Sequence, residues 1–218
     1  RALHQFSIKV EQGQVLGLLA PNGSGKSTAL GLLLGVTTPS QGEIIWHQPR
    51  SQALQIGALL ETPCFYPYLN ARHNLQLVAT IRGLSHPKAA ITQALELAGL
   101  DENPKLRYAN FSSGMKQRLG FASAFLGDPD VIILDEPNNH LDAKGIVDIR
   151  QTIRKLADQG KTVIVASHIL SEVEKMCSHV IIMNKGQIRD QGSIPDLLAR
   201  SKQDALESYY LHLTEATS

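Results

Sequence analysis

The chain has 218 residues, 21 basic against 20 acidic side chains and a formal net charge of +1. That length supports one large domain, or a domain with a subdomain, around a sizeable core. The charge balance gives no case for a nucleic-acid footprint, which would need a clustered basic face, no apolar run reaches the ~18 residues of a membrane span, and Cys64 and Cys177 stand alone, which fits free thiols in a reducing compartment and no metal spacing.

Phe6 to Val10 alternates apolar and polar residues and predicts a strand. Gln12-Gly13 is a turn. Val15 to Leu19 is apolar throughout, as in a buried parallel strand. It runs into Ala20-Pro21-Asn22-Gly23-Ser24-Gly25-Lys26-Ser27-Thr28 and then into an apolar helical run ending near Gly35. Strand, glycine-rich loop and helix form the context of a phosphate-binding loop. Gly23 and Gly25 let the backbone turn its N–H groups inward. The helix start offers unpaired N–H groups and a positive dipole end. Lys26 adds a full charge for the β- and γ-phosphates, and the Ser27 hydroxyl is the expected magnesium ligand. Ala20 stands where the pattern has glycine, so its backbone tests whether that position needs positive φ.

Further on, residues 39–42 predict a turn, Glu43 to Trp46 a short strand and Ile56 to Leu60 another. From about Leu69 to Phe125 the pattern is helical: Ile91, Ala94, Leu95 and Ala98 share one face, and Met115, Leu119, Ala122 and Leu126 another. Buried-strand runs return at Val131–Leu134, Val163–Ala166 and Val180–Met183. A helix carrying Ile146, Ile149, Ile153 and Leu156 lies between the first two and is closed by Gly160. This alternation predicts an α/β fold, a parallel sheet with helices on its faces and a helical block inserted into it. Residues 204–214 predict a last short helix.

Three places carry further chemistry. Val131–Leu134 ends in Asp135-Glu136; Asp135 is the expected partner of a metal, directly or through water, and Glu136 lies where a carboxylate polarises an attacking water. Ser167-His168 follows the next strand and should share that sheet edge, where His168 can reach a γ-phosphate. Phe111 to Arg118 is a turn into a helix with Ser112 as its N-cap, again an anion site.

Taken together, these residues resemble the ATP-binding cassette family, the ATPase subunits of ABC transporters. The resemblance spans nearly the whole chain. Ala20 to Thr28 match the Walker A loop, so Asn22, Gly23, Ser24, Gly25, Lys26, Ser27 and Thr28 are the expected nucleotide contacts. Ser112 to Arg118 match the signature motif, with Ser113 and Met115 as variants. Val131 to Glu136 match Walker B, Asn139 to Asp142 stand at the D-loop and His168 at the switch histidine. The resemblance implies a P-loop NTPase core, a helical subdomain over about 69–125 and a small N-terminal antiparallel β part. It makes residues 1–218 one nucleotide-binding domain. Because the chain opens on Arg1, a first strand with its adenine-stacking aromatic is expected to be missing.

The resemblance also implies the cofactors ATP and Mg2+, with Glu136 and His168 catalytic and Ser27, Glu61 and Asp135 serving the metal. Two cassettes pair head to tail, so Ser112 and Gly114 would serve the nucleotide of a second, identical cassette. A transmembrane permease subunit is the further partner, which places the chain on the cytoplasmic face of the cell membrane. Glu61 replaces the more usual glutamine, and the stretch from Ile56 to Pro67 is similar to the branch linked to bacitracin and lantibiotic resistance. An exporter of a peptide antibiotic or similar amphiphile is the expected setting. Phe65 and Tyr66 are candidates for lining the groove that receives a helix of the permease; core packing in the subdomain is the alternative. Residues 137–140 replace the commoner proline-threonine run, which bears on subunit crosstalk. A soluble mechanical ATPase of translation or DNA maintenance is the alternative function, but it usually carries tandem cassettes or long coiled coils.

Overall fold

Alternation along each strand explains the layering. In Val15–Leu19 (β1), Val15 and Leu19 face one side of the sheet and Leu16 and Leu18 the other, and all are buried. A computed structural model describes residues 2–47, 54–60, 64–100, 103, 105–203 and 205–215. Within it, Ile56–Leu59 (β2), Val131–Asp135 (β3), Thr162–Ser167 (β4), His179–Asn184 (β5) and Gln187–Ser193 (β6) join β1 in a sheet of order β2-β3-β4-β1-β5-β6. β1 to β5 pair in parallel, and β6 is antiparallel to β5. The register sets Leu19 opposite Ser167 and Asp135 opposite Ala166. The C-terminal ends of β1, β3 and β4 therefore meet at one edge, where open α/β sheets place their ligands.

One face is covered by α1 (Lys26–Leu33), whose Ala29 and Leu30 pack on Leu18, Ile133 and Ile164. The other face carries α5 (Ala143–Asp158), α6 (Leu170–Met176) and the helical block. That block is α2 (Ala71–Ile81), α3 (Pro87–Leu97), a 3-10 turn over Tyr108–Asn110, and α4 (Ser113–Phe125). Two arginines close it. Arg82 donates to the carbonyls of Ser123 and Leu126 at 3.1 and 3.0 Å, and Arg118 to those of Ala98 and Gly99 at 3.0 and 3.1 Å. Both sets are carbonyls at helix ends, which lack intrahelical donors. α7 (Ile194–Ser201) and α8 (Leu206–Glu215) finish the chain, with Leu197 and Leu206 in the larger core cluster. Gly57 of β2 lies so close under the Ala124 carbonyl of α4 that no side chain fits there.

The strands expected at Phe6–Val10 and Glu43–Trp46 do not form, so these residues do not build the small N-terminal antiparallel part. The alternation at 6–10 was a true signal for burial. Phe6, Ile8 and Val10 pack against the cluster beneath α1 while Ser7 and Lys9 face solvent. Packing one face does not supply ladder partners, and an isolated two-stranded pairing is marginal in water. Residues 43–46 are exposed on both faces. The antiparallel pair lies instead at the opposite end, in β5 and β6. β6 reads as polar (Gln187, Arg189, Asp190, Gln191), as suits an edge strand, and gives no apolar periodicity to detect.

Candidate nucleotide and hydrolysis site

The loop between β1 and α1 takes the shape its glycines allow. Gly23 has φ 76° and Gly25 φ 101°, both in the left-handed region. A methyl group at Gly25 would also come within 2.8 Å of the Ala2 carbonyl oxygen and the Leu3 side chain. Ala20, by contrast, is fully buried and is not among the residues with positive φ, so this position does not need glycine. No side chain caps α1, which leaves its first N–H groups as a ready anion site. Lys26 is buried, and its Nζ donates to the Ala20 carbonyl at 2.6 Å. That arc holds the ammonium over the loop.

A cavity of about 320 Å³ gathers these parts. Its lining comprises Ala2, Pro21, Asn22, Gly23, Gly25, Lys26, Ser27 and Thr28 from the N-terminal side and Asp135 and Glu136 from the end of β3. The Ser27 hydroxyl and the Asp135 carboxylate are hard oxygen donors in the lining of this one cavity. Mg2+ keeps several waters and uses one or two protein oxygens beside phosphates, so this pair fits it. Among the described residues no group of three or more His, Cys, Asp or Glu side chains forms a metal cage. Glu61 lies outside the described residues.

Glu136 is held in an unusual conformation. Its φ is 48°, a region where a non-glycine residue costs roughly 1–3 kcal/mol and persists only where its surroundings fix it. Its N–H donates to the Ala166 carbonyl at 2.8 Å, extending the β3–β4 ladder by one residue. The carboxylate Oε1 accepts from His168 Nδ1 at 2.8 Å, and Oε2 accepts from the Ser167 hydroxyl at 3.4 Å. The shared strand edge therefore brings His168 to Glu136, and through it to the cavity. Ser167 is an added participant; its position before the histidine, at the end of a buried strand, was the available signal.

Ser112 caps α4, accepting from the Met115 N–H at 3.2 Å. Ser112 and Gly114 do not line the cavity. Gly114 faces the segment after Glu136: a methyl group there would sit 3.2 Å from the His140 carbonyl oxygen, and His140 has φ 65°. Gln117, one turn further along α4, is buried and donates from Nε2 to the Pro137 carbonyl at 3.2 Å. Flanked by Lys116 and Arg118, it carries no apolar pattern that would mark it in the sequence as a buried side chain with a partner.

A second concavity of about 370 Å³ lies away from this edge. Its lining includes Leu60, Cys64, Phe65, Tyr66, Leu77 and Ile81. Phe65 and Tyr66 both line it but differ in burial. Phe65 packs on the core and meets the Tyr108 ring edge-on at 5.5 Å, whereas Tyr66 is 54% exposed. Tyr108 in turn contacts Phe111 at 5.6 Å, immediately before the Ser112 cap. Asn74 is buried beneath, accepting from the Tyr66 N–H at 2.9 Å and donating to its carbonyl at 3.2 Å.

A phosphate loop after β1, an acidic pair at the end of β3 and a histidine just after β4, the strand between those two, define a P-loop nucleoside triphosphatase with a helical insertion. Residues 3–139 match the family described as ABC transporter, and the chain belongs to that family, as one of its ATPases. It is 39% identical over 210 residues to the bacitracin transport ATP-binding protein BcrA of Bacillus licheniformis, covering 93% of this chain and 68% of that protein. It is 36% identical over 189 residues to the lantibiotic transport ATP-binding protein SrtF of Streptococcus pyogenes, covering 85% of this chain and 82% of that protein. A solved ATP-binding subunit of an ABC transporter superposes with a TM-score of 0.86 at 27% identity, over 97% of this chain and 92% of that one.

Proposed function

We propose that this chain is the ATP-hydrolysing subunit of a multi-chain exporter for a peptide antibiotic or similar amphiphile. The observation that carries the hydrolytic part is the single cavity joining Lys26 and Ser27 to Asp135 and Glu136, with His168 on the Glu136 carboxylate. The export cargo rests on the relatives named for bacitracin and lantibiotic transport.

In this reading the glycine loop and the start of α1 bind the phosphates through N–H groups, and Lys26 exchanges its carbonyl contact for phosphate oxygens. Ser27 and Asp135 hold Mg2+, which supplies charge neutralisation of the β- and γ-phosphates. Glu136 accepts a proton from the attacking water; base help of this kind contributes ~10²- to 10⁴-fold. His168 orients the Glu136 carboxylate and lies beside the γ-phosphate. Glu61 is the proposed third metal group. Ser112 and Gly114 serve the nucleotide of a second copy paired head to tail. The groove at Phe65 and Tyr66 receives a permease segment at the cytoplasmic face of the membrane.

Glu136→Gln tests the chemistry. It should retain ATP binding and lower turnover by ~10²-fold or more; turnover near wild type would remove Glu136 as the base. Tagged purification from detergent-solubilised native membranes tests the setting. Co-purification of a multi-span chain is expected, and recovery from the soluble fraction with ribosomes or DNA would point to a mechanical ATPase instead.

A further inference from the structure

The conformation of Glu136 requires an anchor on its C-terminal side as well as its N-terminal side. On the N-terminal side the Ala166 carbonyl holds its N–H at 2.8 Å. On the C-terminal side the chain turns at once: the Asn139 N–H donates to the Glu136 carbonyl at 3.2 Å, and the Leu141 N–H donates to that of Asn138 at 3.3 Å. Between these bonds lies the Pro137 carbonyl, which accepts from Gln117 Nε2 at 3.2 Å. The amide Nδ2 of Asn138 is buried without a hydrogen-bond partner among the described residues, so that donor lends the turn no such support. Gln117 is 1% exposed, which leaves its amide no water to exchange for the carbonyl. It lies on the same helix as Ser112 and Gly114.

We propose that Gln117 is a positioning residue for hydrolysis: its amide holds the Pro137 carbonyl and, through that turn, sets the carboxylate of Glu136. This rests on the reading of Glu136 as the base. Gln117 touches neither nucleotide nor water in this account. A buried donor–acceptor pair across two elements gives the turn one arrangement, and a left-handed residue beside it follows that arrangement. Because Gln117 is on α4, a displacement of the signature helix moves the turn that carries the base.

The test is a double-mutant cycle on ATP turnover with Gln117→Met and Glu136→Gln. Gln117→Met preserves length and apolar packing and removes the donor. A base displaced by about 1 Å can cost ~100-fold, so kcat should fall by about 10- to 100-fold while the Kd for ATP stays within about 2-fold. In the Glu136→Gln background the same substitution should change residual turnover by less than about 2-fold, because the group it positions is already gone. An equal loss in both backgrounds, or no loss in the wild-type background, overturns the inference. If Glu136→Gln alone leaves turnover intact, the base reading fails and this inference with it; a large loss there with none from Gln117→Met sinks the inference alone. Should Gln117→Met fail to fold, Gln117→Leu, smaller and also without a donor, takes its place in the cycle.

Discussion

Lys26, Gly25 and Cys177 show how much one residue's surroundings decide. Among the described residues lining the cavity, Lys26→Ala removes the only full positive charge. Nucleotide affinity should fall by at least about 10-fold, the loss expected for a charge-assisted contact of roughly 1.5–3 kcal/mol; wild-type affinity in a nucleotide titration would contradict the phosphate-loop reading. Gly25→Ala should be worse than a surface change. It combines a φ of 101° with a 2.8 Å approach to the Ala2 carbonyl, and ATP binding should be lost while the chain remains folded by circular dichroism. The two cysteines should separate in alkylation. Burial pushes the Cys177 thiol up to about 12, against a smaller opposing influence from Arg154, so it stays protonated at pH 8. Iodoacetamide should modify exposed Cys64 and spare Cys177 in the folded chain. The same shift contributes stability below the ordinary thiol value of 9.0, and that contribution is lost as pH rises toward 12.

At the scale of elements, caps and periodicity account for most of what could be read in advance. Ser112 is the N-cap the sequence suggested, and Ser112→Ala should destabilise the chain by about 1 kcal/mol in denaturant unfolding. The five apolar strands were legible because both faces of a parallel sheet are buried, as in Val131–Asp135. The helix ending at Asp158 was legible from its four isoleucine and leucine positions and the glycine two residues beyond. What escaped has physical reasons. β6 sits at the sheet edge and is only half-buried. α6 has 7 residues, too few for a period to emerge. α7 carried a readable start, since Ser193 caps it and Pro195 occupies its first turn, but its position directly after an unrecognised strand hid the signal. The 6–10 alternation misled because burial of one face is not the same property as backbone pairing. The candidate site was more legible than the fold, because Lys26, Asp135, Glu136 and His168 all stand at loop-to-element junctions whose residue types the chemistry dictates. Gln117 was not, since its role depends on a carbonyl 20 positions away.

For the whole molecule, the division between the sheet edge and the groove sets the predictions. Tyr66→Asp places a charge on an exposed ring at the mouth of the groove, far from the cavity. It should weaken recovery with membranes while leaving ATP affinity within about 2-fold, as additivity for distant sites requires; unchanged membrane recovery would remove Tyr66 from the proposed docking surface. The ring series Phe65, Tyr108 and Phe111 runs from that groove to the cap of α4. Tyr108→Leu should therefore disturb both ends, and a change confined to one of them would show that the rings are packing alone.

Ser112 and Gly114 lie off the cavity that holds Lys26 and Glu136. If these two residues complete the site of another copy, the chain alone is half an enzyme twice over. Specific activity then becomes a property of the solution rather than of the molecule. Turnover per chain should rise with protein concentration and level off once pairing saturates, and dilution should switch the enzyme off without unfolding it. A rate strictly proportional to concentration from nanomolar to micromolar would mean that each chain works by itself.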